Sequence, residues 1–304
     1  MTSLLNQSPH YVFSRECMPY AHKQPANAQL KWFATDTEGR YKKHQHPLLG
    51  VDDVSYQFNS YGYRCPEFDW QASDEGRLSI VAIGASEVFG LGVPEEKTFL
   101  RLFANLVEKY QGRPVIGWNL ATCGSSPDYL ARILFSALPV LKPDIVLLVF
   151  PFPKRREYFN DAGRLFMLAN SRKQQRFFHQ LKTLVTDPEF VSQLKANLTL
   201  SSDYNDQINL FKNYQICESL CEKHQPMWLF SGFHSAIFDP IESLIKTENF
   251  VSPGLLDFTT KHEKNPAFGY ARDGWHPGIK PHEEMAGLFF ERLKALYSSR
   301  LQAR

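Results

Sequence analysis

Three apolar runs separated by two helical segments are the feature of this chain that most constrains its fold. The runs lie at residues 78–84, 114–120 and 144–150, and each has the length of a strand. Residues 99–110 carry apolar side chains at helical spacing, and residues 127–141 have the character of a second helix. Such apolar runs are typical of strands buried on both faces of a parallel sheet. Strand and helix alternating over short connections therefore predict an α/β fold with helices on both sides of the sheet.

The same alternation continues toward the carboxyl end of the chain. We expect a helix at residues 205–223 and a fourth strand at residues 227–230. Residues 254–258 read as the loop before a fifth strand, and apolar side chains at helical spacing in residues 285–296 predict a closing helix. These elements extend the parallel sheet of the first half.

Two segments do not follow this alternation. Residues 1–78 show no sustained period, so we interpret them as an N-terminal extension packed on the core, with residues 79–304 forming the main domain. Residues 154–202 are charged, helical in composition and too long for a simple crossover. We predict a helical insertion or cap there.

Composition and charge exclude several classes of function. The 304 residues suffice for a substantial core, and the formal net charge of +2 favours neither a nucleic-acid nor a membrane surface. Five scattered cysteines argue against a disulfide framework and against a structural zinc site, and we expect neither a metal nor a cofactor. No segment approaches the roughly 18 apolar residues of a membrane span. The first residues lack the pattern of a signal peptide, so we expect a cytoplasmic location.

Ser86 follows the first predicted strand and precedes the first predicted helix. In parallel sheets this edge, where strands end and helices begin, is where ligands bind. A serine in such a turn presents its hydroxyl above the sheet, and its own N–H can face a developing oxyanion. The alternative is that Ser86 only caps the helix that follows.

Two further groups follow strands at the predicted edge or precede the closing helix. Gly124 comes after the second strand, where it would offer a second oxyanion N–H or act as a plain turn glycine. Asp273 and His276 are three residues apart in a loop, so the carboxylate can orient the imidazole of a general base. The alternatives for this pair are a capping loop with an incidental histidine, or two metal ligands without a further ligand cluster.

Together these blocks resemble those of the SGNH (GDSL-like) hydrolase family. The resemblance rests on AIGASEVFGLGV at residues 82–93, NLATCG at residues 119–124, DGWHP at residues 273–277 and FNSYGYR at residues 58–64. It implies a three-layer α/β/α domain with a parallel, flavodoxin-like sheet. It also implies ester hydrolysis or acyl transfer without a cofactor.

Two positions depart from the pattern of that family. Ala85 stands where the family usually has a mainly structural aspartate. Pro153 stands where the family's third block has the asparagine that donates to the oxyanion, and proline has no donor to offer. Losing one such donor costs about 2.7–4 kcal/mol of transition-state stabilisation. Arg155 and Arg156 are candidates to replace it or to clamp a carboxylate or phosphate of the substrate, the alternative being two surface arginines.

Three residues complete the set of candidates. Ser231 and His234 follow the fourth predicted strand at the same sheet edge and are candidates to line the pocket. His282 is expected to pack at the start of the closing helix rather than to act in catalysis.

By this resemblance the chain is a serine-dependent esterase or acyltransferase. Ser86 is the predicted nucleophile, His276 its base and Asp273 the orienting carboxylate, while the N–H groups of Ser86 and Gly124 hold the oxyanion. The expected substrate is a small-molecule or carrier-bound acyl group. The alternative is a catalytically weak or inactive protein of the same fold that serves in binding. The asparagine missing at Pro153 supports that alternative, and the intact Ser, Asp and His oppose it.

Overall fold

The computed structural model describes residues 26–69, 76–159, 165–169, 188–262 and 264–302 of the chain. Within these residues the strands are β1 (Gln29–Leu30), β2 (Tyr56–Gln57), β3 (Leu78–Ile83), β4 (Val115–Asn119), β5 (Ile145–Phe150), β6 (Arg155–Phe159), β7 (Leu165–Ala169) and β8 (Met227–Gly232). The α-helices are α1 (Glu38–His44), α2 (Ser86–Phe89), α3 (Phe99–Gln111), α4 (Pro127–Leu141), α5 (Pro188–Leu200), α6 (Asp203–His224), α7 (Leu255–Lys261), α8 (Pro266–Gly269) and α9 (Ile279–Gln302). Short 3-10 helices lie at Glu95–Lys97, Ser235–Ile237, Asp239–Leu244 and Thr247–Asn249.

A parallel sheet with the strand order β4-β3-β5-β8 forms the centre of the molecule. Ile80 and Ala82 of β3 pack on one side with the core beneath α3 and α9, whereas Val81 and Ile83 pack on the other side beneath α4 and α6. Both faces of the sheet are therefore buried, which explains why its strands read as apolar runs rather than as alternating ones. The predicted three-layer α/β/α fold is confirmed.

The loop and fifth strand expected from residue 254 onward are not found: Gly254 caps α7, and no strand follows it among the described residues. A single bridge beside β8 lies before that position. Phe250 forms a single parallel bridge with Phe230, and the N–H of Val251 donates to the Phe230 carbonyl at 2.8 Å. The sheet therefore has four full strands among the described residues. None of the helices described is both long enough and apolar enough to cross a membrane.

The segment predicted as a helical insertion contains, in its described residues, both a hairpin and a helix. It begins with the antiparallel hairpin β6–β7, and α5 comes later, while residues 160–164 and 170–187 lie outside the described residues. The prediction relied on charge content, whereas pairing follows the two-residue alternation of a strand. Glu157 turns to Arg132 of α4 at 2.6 Å, and Arg156 turns to Asp206 of α6 at 2.8 Å.

The N-terminal segment, defined here as residues 26–69, packs against the core on the side of the sheet that α3 and α9 cover. Aromatic rings of Phe33, Tyr56 and Phe58 pack on Phe89 of α2, with centroids 5.5, 5.9 and 6.1 Å from it. β2 pairs antiparallel with β1. Residues 1–25 of the predicted extension lie outside the described residues.

Candidate active site

Ser86 is the first residue of α2 and follows the end of β3 closely. Ala85, in an extended conformation, occupies the capping position before it and makes no side-chain cap. The Ser86 hydroxyl is therefore not used as a helix cap. Its Oγ lies 2.9 Å from Nε2 of His276, and the Ser86 residue is only 7% exposed.

His276 lies between Ser86 and Asp273 in a chain of hydrogen bonds. Its Nδ1 lies 2.7 Å from Oδ2 of Asp273, so the N–H on Nδ1 donates to the carboxylate and Nε2 is free to accept from Ser86. The structure thus brings together three residues that the sequence analysis placed at opposite ends of the domain. Such a chain can pass a proton from a hydroxyl to an imidazole.

The carboxylate of Asp273 is fully buried and fully hydrogen-bonded. Its Oδ1 accepts the backbone N–H groups of Trp275 at 2.9 Å and His276 at 3.0 Å. Burial acts to raise the pKa of the Asp273 carboxyl. The hydrogen bonds and charge of His276, together with the N–H of Trp275, outweigh burial and lower the pKa of Asp273 well below its usual range. Asp273 is therefore ionised wherever the protein is folded at moderate pH.

Gly124 lies in the loop between β4 and α4. Its φ of +82° is in the left-handed region that favours glycine, and a Cβ there would meet no atom within 4 Å. The loop is fixed to the serine turn because the Thr122 N–H and the Ser125 hydroxyl both donate to the Gly84 carbonyl, at 3.2 and 2.9 Å. In the described part of the chain, the N–H groups of Gly124 and Ser86 have no hydrogen-bond acceptor.

The two candidate arginines separate because they are consecutive residues of β6. Arg155 turns to the glycine loop, where its Nη1 donates to the Ser125 carbonyl at 3.2 Å. Arg156 forms an ion pair with Asp206 of α6, so the structure does not place it with the other predicted site residues. Pro153, in the turn before β6, offers only its carbonyl, to Arg156.

Among the described residues, Ser231 and His234 have other hydrogen-bond partners than Ser86, His276 and Asp273. Ser231 is fully buried and its hydroxyl donates to the Gly232 carbonyl at 3.1 Å. His234 is exposed and lies 3.1 Å from Asp257. Their place in the pocket stays a prediction.

His282 packs at the start of α9, as expected. Its Nδ1 accepts the N–H of Phe99 at 3.0 Å, and the ring is almost fully buried. Burial, and next the positive charge of Arg64, lower the pKa of His282 to about 3. His282 is therefore neutral at physiological pH.

Glu87 is a residue of the site that the sequence analysis missed. It is 3% exposed, its Oε2 lies 3.5 Å from the Ser86 Oγ, and its Oε1 is buried with no hydrogen-bond partner in the described residues. Burial lowers the pKa of Arg155, and the negative charge of Glu87 opposes that shift. An acidic residue directly after the predicted nucleophile was the available signal.

The N-terminal segment supports the Asp273 loop through a buried ion pair that the sequence analysis also missed. Arg272 and Asp36 are both fully buried and lie 2.6 Å apart. The guanidinium also donates to the carbonyls of Lys31, Val51 and Val54, at 2.6, 2.8 and 3.1 Å. One arginine thus joins the loop before His276 to three points of the N-terminal segment.

A second buried arginine of that segment holds the turn after Ser86. The guanidinium of Arg64 donates to the carbonyls of Phe89, Gly90 and Val93, at 3.2, 2.6 and 2.9 Å. The neighbouring Gly92 adopts a φ of +76°, and a Cβ there would lie 2.9 Å from the Cβ of Ala271. This close approach brings the serine turn and the Asp273 loop into contact.

No protein-family model matches this sequence, and no curated protein matches it. Solved structures similar to this fold include the psychrotrophic esterase EstA from Pseudoalteromonas sp., inhibited by monoethylphosphonate. The match has 13% identity and a TM-score of 0.44, and it covers 72% of this chain and 98% of that one. A lipase from a goat rumen metagenome matches at 16% identity and a TM-score of 0.42, over 74% of this chain and 99% of that one. The protein TesA matches at 13% identity and a TM-score of 0.44, over 72% of this chain and 99% of that one.

Among the described residues, no group of three or more His, Cys, Asp or Glu side chains is arranged to bind a metal ion. The groups that the site itself offers for chemistry are a hydroxyl, an imidazole, carboxylates, a guanidinium and backbone N–H groups. They suit acyl-group chemistry through a serine nucleophile.

Proposed function

We propose that the protein is a serine-dependent esterase or acyltransferase with Ser86 as its nucleophile. The observation that carries this proposal is the continuous contact from Ser86 Oγ to His276 Nε2 at 2.9 Å and from His276 Nδ1 to Asp273 at 2.7 Å. An alcohol becomes a useful nucleophile when a base removes its proton as it attacks, and an oriented imidazole is such a base.

In the proposed first step, Ser86 Oγ forms a bond to the carbonyl carbon of an ester or thioester. The electron pair of the C=O bond moves to oxygen, and the hydroxyl proton moves to His276 Nε2. The oxyanion collapses, the bond to the leaving group breaks, and His276 returns the proton to that group. Asp273 stabilises the imidazolium formed in between. Water or another acceptor then repeats the sequence on the acyl-enzyme.

The oxyanion needs donors that are in place before the reaction. The N–H groups of Ser86 and Gly124, which have no acceptor among the described residues, are the proposed pair. The loop that contains Gly124 is held next to Ser86, because Thr122 and Ser125 of that loop donate to the Gly84 carbonyl. Arg155 is the proposed third donor in place of the asparagine missing at Pro153. Its hydrogen bond to the Ser125 carbonyl, one residue after Gly124, supports this role.

Labelling with a fluorophosphonate probe tests the proposal. The probe bonds its phosphorus to an activated serine oxygen and loses fluoride, so it reports the nucleophile without a known substrate. We expect the wild-type protein to be labelled at Ser86, and Ser86→Ala to abolish labelling while the thermal unfolding midpoint is retained. Ser136→Ala is the matched control, because Ser136 is a buried serine of α4 whose hydroxyl donates to the Arg132 carbonyl, and its loss should leave labelling intact. Labelling that persists in Ser86→Ala contradicts the assignment.

Hydrolysis and acyl transfer differ in what attacks the acyl-enzyme. We propose a small-molecule or carrier-bound acyl group as the substrate, and the basic guanidinium of Arg155 suits a carrier that bears phosphate. The missing asparagine also favours slow turnover, as in a protein that mainly binds. Incubation with a p-nitrophenyl ester and a set of alcohol acceptors distinguishes these outcomes by product: free acid, transferred ester, or a stable acyl-enzyme.

A further inference from the structure

Thr35 of the N-terminal segment makes direct contact with the carboxylate of the proposed triad. Its hydroxyl donates to Oδ2 of Asp273 at 2.9 Å. This is the same oxygen that lies 2.7 Å from His276 Nδ1. The other three donors in the described structure come from the loop itself: two backbone N–H groups on Oδ1 and the imidazole on Oδ2. Thr35 is thus the donor contributed by a different segment of the chain.

Its place opposite Asp273 is fixed by neighbouring residues. Asp36 follows Thr35, Arg272 precedes Asp273, and these neighbours form the fully buried ion pair with 2.6 Å separation. Arg40 of α1 adds a positive charge 4.0 Å from Oδ2, with its guanidinium 4.7 Å from the centre of the Trp275 ring. The backbone at Thr35 therefore cannot move away from the Asp273 loop without disturbing a buried charge pair.

A carboxylate that serves an imidazole must keep one oxygen aimed at the ring. The two backbone N–H groups hold Oδ1, and without a further donor Oδ2 is held by the imidazole alone. A hydroxyl donor on Oδ2 limits rotation of the carboxylate and stabilises its charge. Hydrogen bonds to charged groups are stronger than those between neutral groups, so this contact matters energetically.

We propose that Thr35 is a positioning residue for the reaction, which acts by holding Asp273 in the orientation that His276 requires. This inference rests on the proposed function, because Thr35 acts through Asp273 and His276. It assigns the N-terminal segment a part in the chemistry in addition to its packing.

The test compares Thr35→Val, which keeps the shape and removes the hydroxyl, with Thr35→Ser, which keeps the hydroxyl. We expect Thr35→Val to react with the fluorophosphonate probe about tenfold more slowly than wild type, the order expected for one lost hydrogen bond to a charged group. Thr35→Ser should restore most of that rate. Thr260→Val, the same change at an exposed threonine that bonds its own helix, is the matched control and should react at the wild-type rate.

A second measurement is independent of activity. The proton on His276 Nδ1 should give a far-downfield NMR resonance, which we expect to move or broaden in Thr35→Val and to be retained in Thr35→Ser. If Thr35→Val does not fold, as judged by its thermal unfolding, Thr35→Ala replaces it as the variant without the hydroxyl. A wild-type rate and an unchanged resonance in the variant without the hydroxyl would overturn the inference. Absence of labelling in the wild-type protein would instead contradict the proposed function, and the resonance would still decide the role of Thr35.

Discussion

The N-terminal segment and the β6–β7 hairpin approach the same hydrogen-bonded chain from opposite ends. The N-terminal segment contacts the carboxylate end, where Thr35 reaches Asp273. The hairpin contacts the end where the oxyanion donors are proposed, and Arg155 there donates to the carbonyl of Ser125 in the glycine loop. Neither belongs to the alternating α/β pattern, yet both border the proposed site.

The two segments differ in how deeply their charges are buried. Asp36 of the N-terminal segment and its partner Arg272 are fully buried. Arg156 of the hairpin and its partner Asp206 have side chains that are 15% and 6% exposed. A charge without access to water depends on its partner much more than one that water can reach. We therefore expect the N-terminal segment to be required for folding and the hairpin to be more tolerant of change.

The largest predicted effect tests this difference in stability. Asp36→Ala leaves Arg272 buried without its carboxylate and should lower the free energy of unfolding by about 3–5 kcal/mol. Asp206→Ala leaves Arg156 with carbonyl acceptors and partial access to water, and should cost about 1.5 kcal/mol. Urea unfolding monitored by circular dichroism gives both values.

A control for this pair lies within the N-terminal segment itself. Lys31 and Asp52 form an ion pair at 2.7 Å whose carboxylate side chain is 89% exposed. Asp52→Ala should therefore cost less than about 1 kcal/mol. Equal losses in Asp36→Ala and Asp206→Ala would show that depth of burial does not separate the two segments.

The next effect is on reactivity rather than on stability. Arg155→Ala should lower the rate of fluorophosphonate labelling by about 100-fold, the cost of one oxyanion donor. Arg156→Ala, the adjacent residue of the same strand, should label at close to the wild-type rate while losing some stability. Second-order labelling rates measured beside thermal unfolding separate the two effects. Similar labelling rates for both variants would contradict the oxyanion role of Arg155.

The smallest effect concerns pH and His282, which the positive charge of Arg64 in the N-terminal segment helps to keep neutral. The pKa of His282 in the folded protein, about 3, lies below the usual value of about 6.5. Between these values the unfolded chain binds more protons, so the contribution to stability is complete above about pH 6.5 and declines as pH falls toward 3. Each pH unit inside the window removes up to about 1.4 kcal/mol.

His282→Asn removes the titrating group and can still accept the Phe99 N–H. We expect its free energy of unfolding to fall less steeply than that of wild type between pH 6 and 5, as measured by urea unfolding at each pH. The lowered pKa of Asp273 makes its own contribution decline only below about pH 4, outside this interval. Parallel curves for the two proteins would show that His282 is not buried as a neutral ring.

The fold could be predicted from the sequence because its strands are buried on both faces and so appear as apolar runs. Ser86 and Gly124 could be singled out because both follow strands, and the ends of parallel strands meet at one edge of the sheet. Asp273 and His276 follow no strand, and they could be singled out by their spacing of three residues in a block that resembles a known family. The pattern that located these residues is local in the sequence, and the fold topology brings them into contact.

What could not be predicted depends on contacts without a local pattern. Thr35 and Asp36 lie in a segment with no period, and nothing near them in the sequence indicates a partner more than two hundred residues away. Arg155 and Arg156 are chemically identical, and only the strand alternation of β6 decides which one turns to the site. The length of β6 in turn depends on its pairing with β7, which charge content does not reveal.

Arg64 and Arg272 together have a consequence for any attempt to reduce this protein to its smallest working unit. One fastens the turn that begins at Ser86, the other fastens the loop that carries Asp273, and both are anchored in residues 26–69. The distance between serine and imidazole is thus set by a third part of the chain. A fragment that begins at β3, where the α/β repeat begins, would lack both anchors, so we expect the smallest fragment with the proposed activity to include residues 26–69.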